Sequence, residues 1–107
     1  MKVLITGAGG FVGTELIRAT LINKHRVVGI YRNDYDKKLD NNKNFYAIKG
    51  DIRIIEQLPD DIDILVHCAT EHPELAINIE SMYENNVKST SKIFEQSRKY
   101  NYNCFNL

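Results

Sequence analysis

A chain of 107 residues, 43% of them apolar, is long enough to bury one core and too short for two domains. Fourteen basic and fourteen acidic side chains cancel to a formal charge of zero, so neither nucleic acid nor an anionic membrane is an expected partner. Cys68 and Cys104 lie far apart and form no C-x-x-C, the start of the chain has no signal-peptide pattern, and no stretch approaches about 18 consecutive apolar residues; a reduced, cytoplasmic protein with free thiols is expected.

Val3, Leu4 and Ile5 form a short β-rich run without alternation, which predicts a strand covered on both faces. Glycines then break it. From Phe11 onward Gly13, Leu16, Ile17, Thr20 and Leu21 recur at helical spacing and leave Glu15 and Arg18 toward water. Arg26 to Tyr31 reads as a second buried strand, and the polar, asparagine-rich connection after it is expected to be mobile with at most one helical turn. A third strand is predicted from Phe45, ending at Gly50 and Asp51; Ile54, Ile55 and Leu58 then predict a short helix closed by Pro59. Residues 63–69 supply a fourth strand. After Pro73, the residues Ile79, Met82, Tyr83, Asn86, Val87, Thr90, Ile93, Phe94 and Ser97 mark a single stripe on a helix of about five turns, apolar except for one amide. Cys104 to Leu107 open a fifth strand. Strands alternating with helices, without internal repeat or linker, imply right-handed crossovers and an α/β fold with a doubly wound parallel sheet that runs out at about its fifth strand.

The stretch Ile5 to Gly13, ITGAGGFVG, misses the G-x-G-x-x-G fingerprint, because Val12 stands at its last position counted from Gly7. Gly7, Gly10 and Gly13 instead fall at a regular interval. A glycine turn between a strand and a helix directs free backbone N–H groups and the positive helix end at one spot, which suits a pyrophosphate. Gly7 would permit the tight turn, Gly10 the backbone's approach to phosphate, and Gly13 the close seating of the helix on the strand. No Gly-Lys-Ser/Thr follows, which excludes a P-loop. His67, Cys68 and His72 are close in sequence, but neighbours on a strand point to opposite faces, so no metal site is expected; His67 is read as packing and His25 and His72 as surface residues. Asn86, an amide in an apolar stripe, needs partners, and a structural amide and a proton relay both fit it. The acid expected to bind the adenosine ribose is missing at the end of the second strand, where Tyr31 and Arg32 stand. An arginine there can pair with a 2′-phosphate, which places NADP slightly ahead of NAD; Asp34 could still reach a ribose, and a solvated charge is the plain alternative for Arg32.

With these residues the chain resembles the extended short-chain dehydrogenases/reductases, also called the NAD-dependent epimerase/dehydratase family, whose N-terminal signature is T-G-x-x-G-x-x-G. Thr6, Gly7, Gly10 and Gly13 match it. Gly50, Asp51 and Ile52 are similar to the family's turn after the third strand, where the aspartate contacts the adenine amino group and the next backbone contacts the ring. His67 to Thr70 is similar to its H-x-A-A stretch beside the ribose and nicotinamide, with Thr70 replacing the second alanine. The sequence NNVKST resembles its N-V-x-G-T stretch, with Asn86 on the asparagine and Ser89 replacing the glycine.

The resemblance implies a Rossmann-like fold over residues 1–107 and a cofactor-binding set of Thr6, Gly7, Gly10, Phe11, Val12, Gly13, Arg32, Asp51, Ile52, Cys68, Ala69 and Thr70, with a supporting role for Asn86. It implies hydride transfer with NADP or NAD on a nucleotide sugar or related small molecule. The family's catalytic serine or threonine, its Tyr-x-x-x-Lys pair and its substrate-binding part all fall later than Leu107. The chain is therefore expected to be an N-terminal fragment, inactive alone, with epimerase, dehydratase and reductase undistinguished. A non-catalytic NAD(P)-binding or interaction module is the alternative. An apolar face left uncovered after the fifth strand makes a homo-oligomer an expected state.

Overall fold

The computed structural model describes residues 1–69 and 79–106. One sheet holds β1 (Lys2–Thr6), β2 (Arg26–Tyr31), β3 (Phe45–Lys49), β4 (Ile64–His67) and β5 (Asn103–Asn106). Its order is β3-β2-β1-β4-β5, and every neighbouring pair is parallel. The chain builds outward from β1 through β2 to β3, then returns to β4 on the other side of β1. That reversal opens a crevice at the carboxyl ends of β1 and β4.

Helices pack on both faces of the sheet, the α1 side being left open at β5, where Phe105 is 56% exposed, and alternation along β1 divides its side chains between two cores. Leu4 joins Val28, Ile30, Leu65, Ile93 and Tyr102 on the face of the long helix α2 (Ile79–Tyr100). Val3 and Ile5 join Ala8, Ile17, Val27 and Phe45 on the face of α1 (Phe11–Ile22). This is why the strands read as continuous apolar runs. On α1 the expected stripe faces the sheet, with Ile17 buried and Glu15 and Arg18 exposed. The β2–β3 connection carries a 3-10 helix, Lys37–Asn41, capped by the Asp36 side chain, which accepts from the Lys38 N–H.

Two expectations are corrected. Residues 54–58 form no helix: Ile54 is 70% exposed, and the local structure is a turn in which the Ile54 and Ile55 N–H groups donate to the Asp51 carbonyl. The run before Pro59 is too short to nucleate a helix, and the Asp51 side chain competes by accepting from the Arg53 N–H at 2.9 Å. The segment is instead anchored to the end of α2: Leu58 N–H donates to the Tyr100 hydroxyl at 3.5 Å, and the Tyr102 hydroxyl donates to the Pro59 carbonyl.

The second correction concerns the face of α2. Of the expected stripe, Ile93 and Ser97 are buried but Ile79, Tyr83, Val87 and Phe94 are exposed, and the buried face takes in Ser89 and Gln96 instead. The helix turns small side chains toward β4 and β5, and the Ser89 hydroxyl satisfies itself on the Asn85 carbonyl at 2.8 Å. Asn86 lies half-buried at the border of this face.

Candidate functional site

The crevice is built where β1 leaves the sheet. Gly7 sits at φ +65°, in the left-handed region, and a Cβ there would lie 2.6 Å from the Ala69 backbone nitrogen and 2.8 Å from the Cys68 carbonyl carbon. The loop after β1 therefore packs backbone against backbone on the chain leaving β4. A Cβ on Gly13 would collide with the Gly7 carbonyl oxygen and approach Ala8 Cα to 2.9 Å, so the first turn of α1 rests directly on the loop. Gly10 donates its N–H to the Gly7 carbonyl at 3.0 Å and accepts from Thr14 N–H at 2.9 Å, joining turn to helix. Its Cα side is open; a Cβ there would meet only the Gly7 oxygen, at 3.3 Å. Gly10 caps α1 without a side-chain hydrogen bond, and the first turn holds no acidic residue. The positive end of the helix is thus left for an external anion.

Beneath the loop, three elements meet through a fully buried Thr6. Its Oγ1 accepts from the Cys68 and Ala69 N–H groups at 3.1 and 3.3 Å and lies 2.6 Å from His67 Nδ1. On the other side of the ring, His67 Nε2 lies 3.3 Å from Thr90 Oγ1 on α2. Burial pushes the His67 pKa below the ordinary imidazole value and the half-buried Cys68 thiol above its own. Cys68 is accordingly a protonated thiol rather than a nucleophile.

At the ends of β2 and β3 the site becomes charged. The Gly50 N–H donates to the Tyr31 carbonyl at 2.8 Å, which brings the segments carrying Arg32 and Asp51 side by side. Arg53 grips the Asp51 carboxylate with Nε on Oδ1 at 3.0 Å and Nη2 on Oδ2 at 2.5 Å. That grip holds the carboxyl at about 2, with Arg32 contributing from farther away. Ile52 turns its side chain into the core. Asp34 pairs with Lys49 at 3.2 Å, both exposed. A cavity of about 510 Å³ adjoins this end, starting at Ala8 and Gly9 and running between α1 and the β2–β3 connection past Ile17, Leu21, Tyr31 and Leu39. Burial, with help from Tyr35 and Asp36, pushes the Tyr31 hydroxyl up to about 12.

Of the residues singled out in the sequence, Thr6, Gly7, Gly10, Phe11, Val12, Gly13, Cys68 and Ala69 gather at the crevice, with Phe11 and Val12 exposed at the start of α1. Arg32, Asp51 and Ile52 form the neighbouring group. Asn86 is carried half-buried on α2, and Thr70 and His72 lie outside the described residues. Among the described residues no cluster of His, Cys, Asp or Glu could hold a metal ion, and no helix is long and apolar enough to cross a membrane. Sequence reasoning missed Arg53 and Thr90. The D-x-R spacing was a usable signal for the first, since an Asx turn brings residue i+2 back to the carboxylate; Thr90 had none.

Residues 3–106 match the model of the NAD dependent epimerase/dehydratase family. The chain belongs to that family. Among its relatives are the Dictyostelium discoideum sterol-4-alpha-carboxylate 3-dehydrogenase, decarboxylating, 23% identical over 96 residues, and the low-salt glycan biosynthesis protein Agl12 of Haloferax volcanii, 31% identical over 107 residues. The matches cover 87% and 89% of this chain but only 29% and 34% of those proteins. The fold is that of dTDP-glucose 4,6-dehydratase from Bacillus anthracis, solved in complex with NAD: TM-score 0.80, 23% identity, 99% of this chain and 36% of the dehydratase. Family membership thus extends over the whole described crevice, and the chain spans about a third of the length of these relatives.

Proposed function

We propose that residues 1–107 form the NAD(P)-binding part of an epimerase, dehydratase or reductase that works by hydride transfer on a nucleotide sugar or a related small molecule. The observation that carries this reading is the uncapped start of α1 above an open Gly10, in a loop held so tightly at Gly7 and Gly13 that no side chain fits inside it. A pyrophosphate fits such a cradle: the first-turn N–H groups meet its charge, and the missing Cβ at Gly10 lets it approach the backbone. Bound there, the dinucleotide would supply the hydride acceptor and donor. Thr6, Gly7, Gly10, Phe11, Val12 and Gly13 would hold its phosphates, Asp51 and Ile52 its adenine, and Cys68, Ala69 and Thr70 the ribose on the nicotinamide side.

NADP is slightly favoured over NAD. Arg32 follows Tyr31 at the open end of β2, the neighbouring Asp51 carboxylate is gripped by Arg53, and Asp34 is paired with Lys49. Solved relatives such as the Bacillus anthracis dehydratase hold NAD, which keeps both cofactors in play. Calorimetric titration with NADP and NAD tests binding itself. The parent chain should bind, and Gly10→Val should weaken binding by about tenfold or more, because branched carbons would occupy the phosphate's approach. Full affinity in the valine variant would overturn the cradle.

A further inference from the structure

We infer that His67 is a positioning residue, held as the neutral tautomer protonated on Nε2, through which Thr6 and Thr90 clamp α2 to both walls of the dinucleotide cradle. The clamp is read from buried hydrogen bonds alone; only its effect on affinity rests on the dinucleotide reading above.

The tautomer follows from counting hydrogen-bonding positions. A threonine hydroxyl has one proton to give and two lone pairs to accept with. At Thr6 both lone pairs face groups that can only donate: the Cys68 N–H, 3.1 Å from Oγ1 and shared with the Thr6 carbonyl at 3.3 Å, and the Ala69 N–H at 3.3 Å. The short 2.6 Å contact to His67 Nδ1 must then be Thr6 donating to the ring. Nδ1 carries no proton, so a neutral ring carries it on Nε2, the atom that faces Thr90 Oγ1 at 3.3 Å. A protonated ring would aim an N–H at an oxygen with no lone pair left. Thr6 is 0% and His67 1% exposed, so water cannot repair the mismatch.

The geometry gives this chain of bonds a task. The two N–H groups held by Thr6 belong to the segment against which Gly7 packs with no space for a Cβ. The Thr6 hydroxyl, together with the Cys68 N–H bond to the Thr6 carbonyl at 3.3 Å, therefore sets the gap between the phosphate loop and the end of β4. The orientation of the hydroxyl is imposed by Nδ1, and the ring is held in turn by α2 through Thr90. Three elements far apart in sequence are thereby fixed relative to the site by one imidazole, as an outer partner orients a group that makes the contact.

Nitrogen-15 NMR of the ring in the full chain tests the tautomer. Near neutral pH Nδ1 should resonate as an unprotonated nitrogen and Nε2 as a protonated one; the opposite tautomer, or fast exchange between the two, would overturn the inference. Amide hydrogen exchange tests the clamp without any ligand. His67→Phe keeps the ring's volume but not its bonds and should speed exchange at Cys68 and Ala69 by about tenfold, with the β1 and β2 amides little changed. His67→Asn, whose carbonyl can replace Nδ1 as acceptor, should restore most of that protection. Thr90→Val should leave Nδ1 unprotonated and speed exchange at the same two amides to a smaller extent. Unchanged exchange in all three variants would overturn the clamp. In NADP titrations the Phe variant should bind about tenfold more weakly than the Asn variant, and equal affinities would reduce His67 to packing. If the parent binds neither dinucleotide, the proposed function fails while ring NMR and exchange still decide the clamp.

Discussion

Arg53 keeps the Asp51 carboxyl at about 2, and burial keeps His67 below its ordinary value; both shifts make stability depend on pH. Asp51 is harder to protonate folded than unfolded, so its contribution is complete above its ordinary value of 3.8 and is lost as the pH falls through about 2. The lowered His67 value means that folding favours the neutral ring; that contribution is complete above about 6.5 and is lost as the pH falls below it. Urea unfolding across pH should therefore show a decline starting near pH 6.5 and a separate one in strong acid. Asp51→Asn should shrink the acid stage, to which Asp61, held down by Lys2, also contributes, and His67→Phe should abolish the upper one. A flat profile between about pH 7 and 5 would contradict the buried neutral ring. Arg32 has a separate consequence: Tyr31→Asp with Arg32→Ser should turn a preference of about tenfold for NADP into one for NAD. Equal titrations of parent and variant with the two cofactors would make Arg32 a surface charge. Gly7 and Gly13 were legible in the sequence because one residue type alone satisfies the steric demand. Arg53 escaped because its role depends on a turn that forms only once the expected helix fails.

Along α2, hydrophobicity was a poor guide to the buried face. The most apolar stripe, through Ile79, Tyr83, Val87 and Phe94, faces outward, while Ser89 and Ser97 face the sheet beside Ile93. Small side chains allow the helix to come close to β4 and β5, and closeness is a property of the packed pair that periodicity in one segment cannot report. Measured by denaturant unfolding, Ile93→Ala should cost about 2–5 kcal/mol, whereas Phe94→Ser should stay within about 0.5 kcal/mol. Among the described residues the buried Ser97 Oγ has no hydrogen-bond partner, so Ser97→Ala should raise stability by about 1 kcal/mol. A Phe94 variant costlier than the Ile93 one would contradict burial on the Ile93 side of the helix. The strands fared better. Their apolar runs, β1 and β2 above all, reflect burial on both sides of a parallel sheet, which leaves a mark in each strand's own composition.

For the molecule as a whole, the alternation of strands and helices was enough to give a parallel sheet, but not its order. The order β3-β2-β1-β4-β5 places Thr6 and His67, 61 residues apart, on adjacent central strands in register, and this creates the crevice. The family match, over residues 3–106, takes in both the glycine loop and the turn at Asp51. The claim that joins them is that the start of α1, the loop after β1 and the end of β4 form one cradle for a dinucleotide pyrophosphate. An amide-resolved NMR titration of the chain with NADP and with NAD tests it most directly. The largest shifts should fall on Gly7 to Gly13, Cys68 and Ala69, with a second group at Arg32 and Asp51, and Gly10→Val should abolish the first group. Saturable shifts confined to any other surface, or none at all with either dinucleotide, would contradict it.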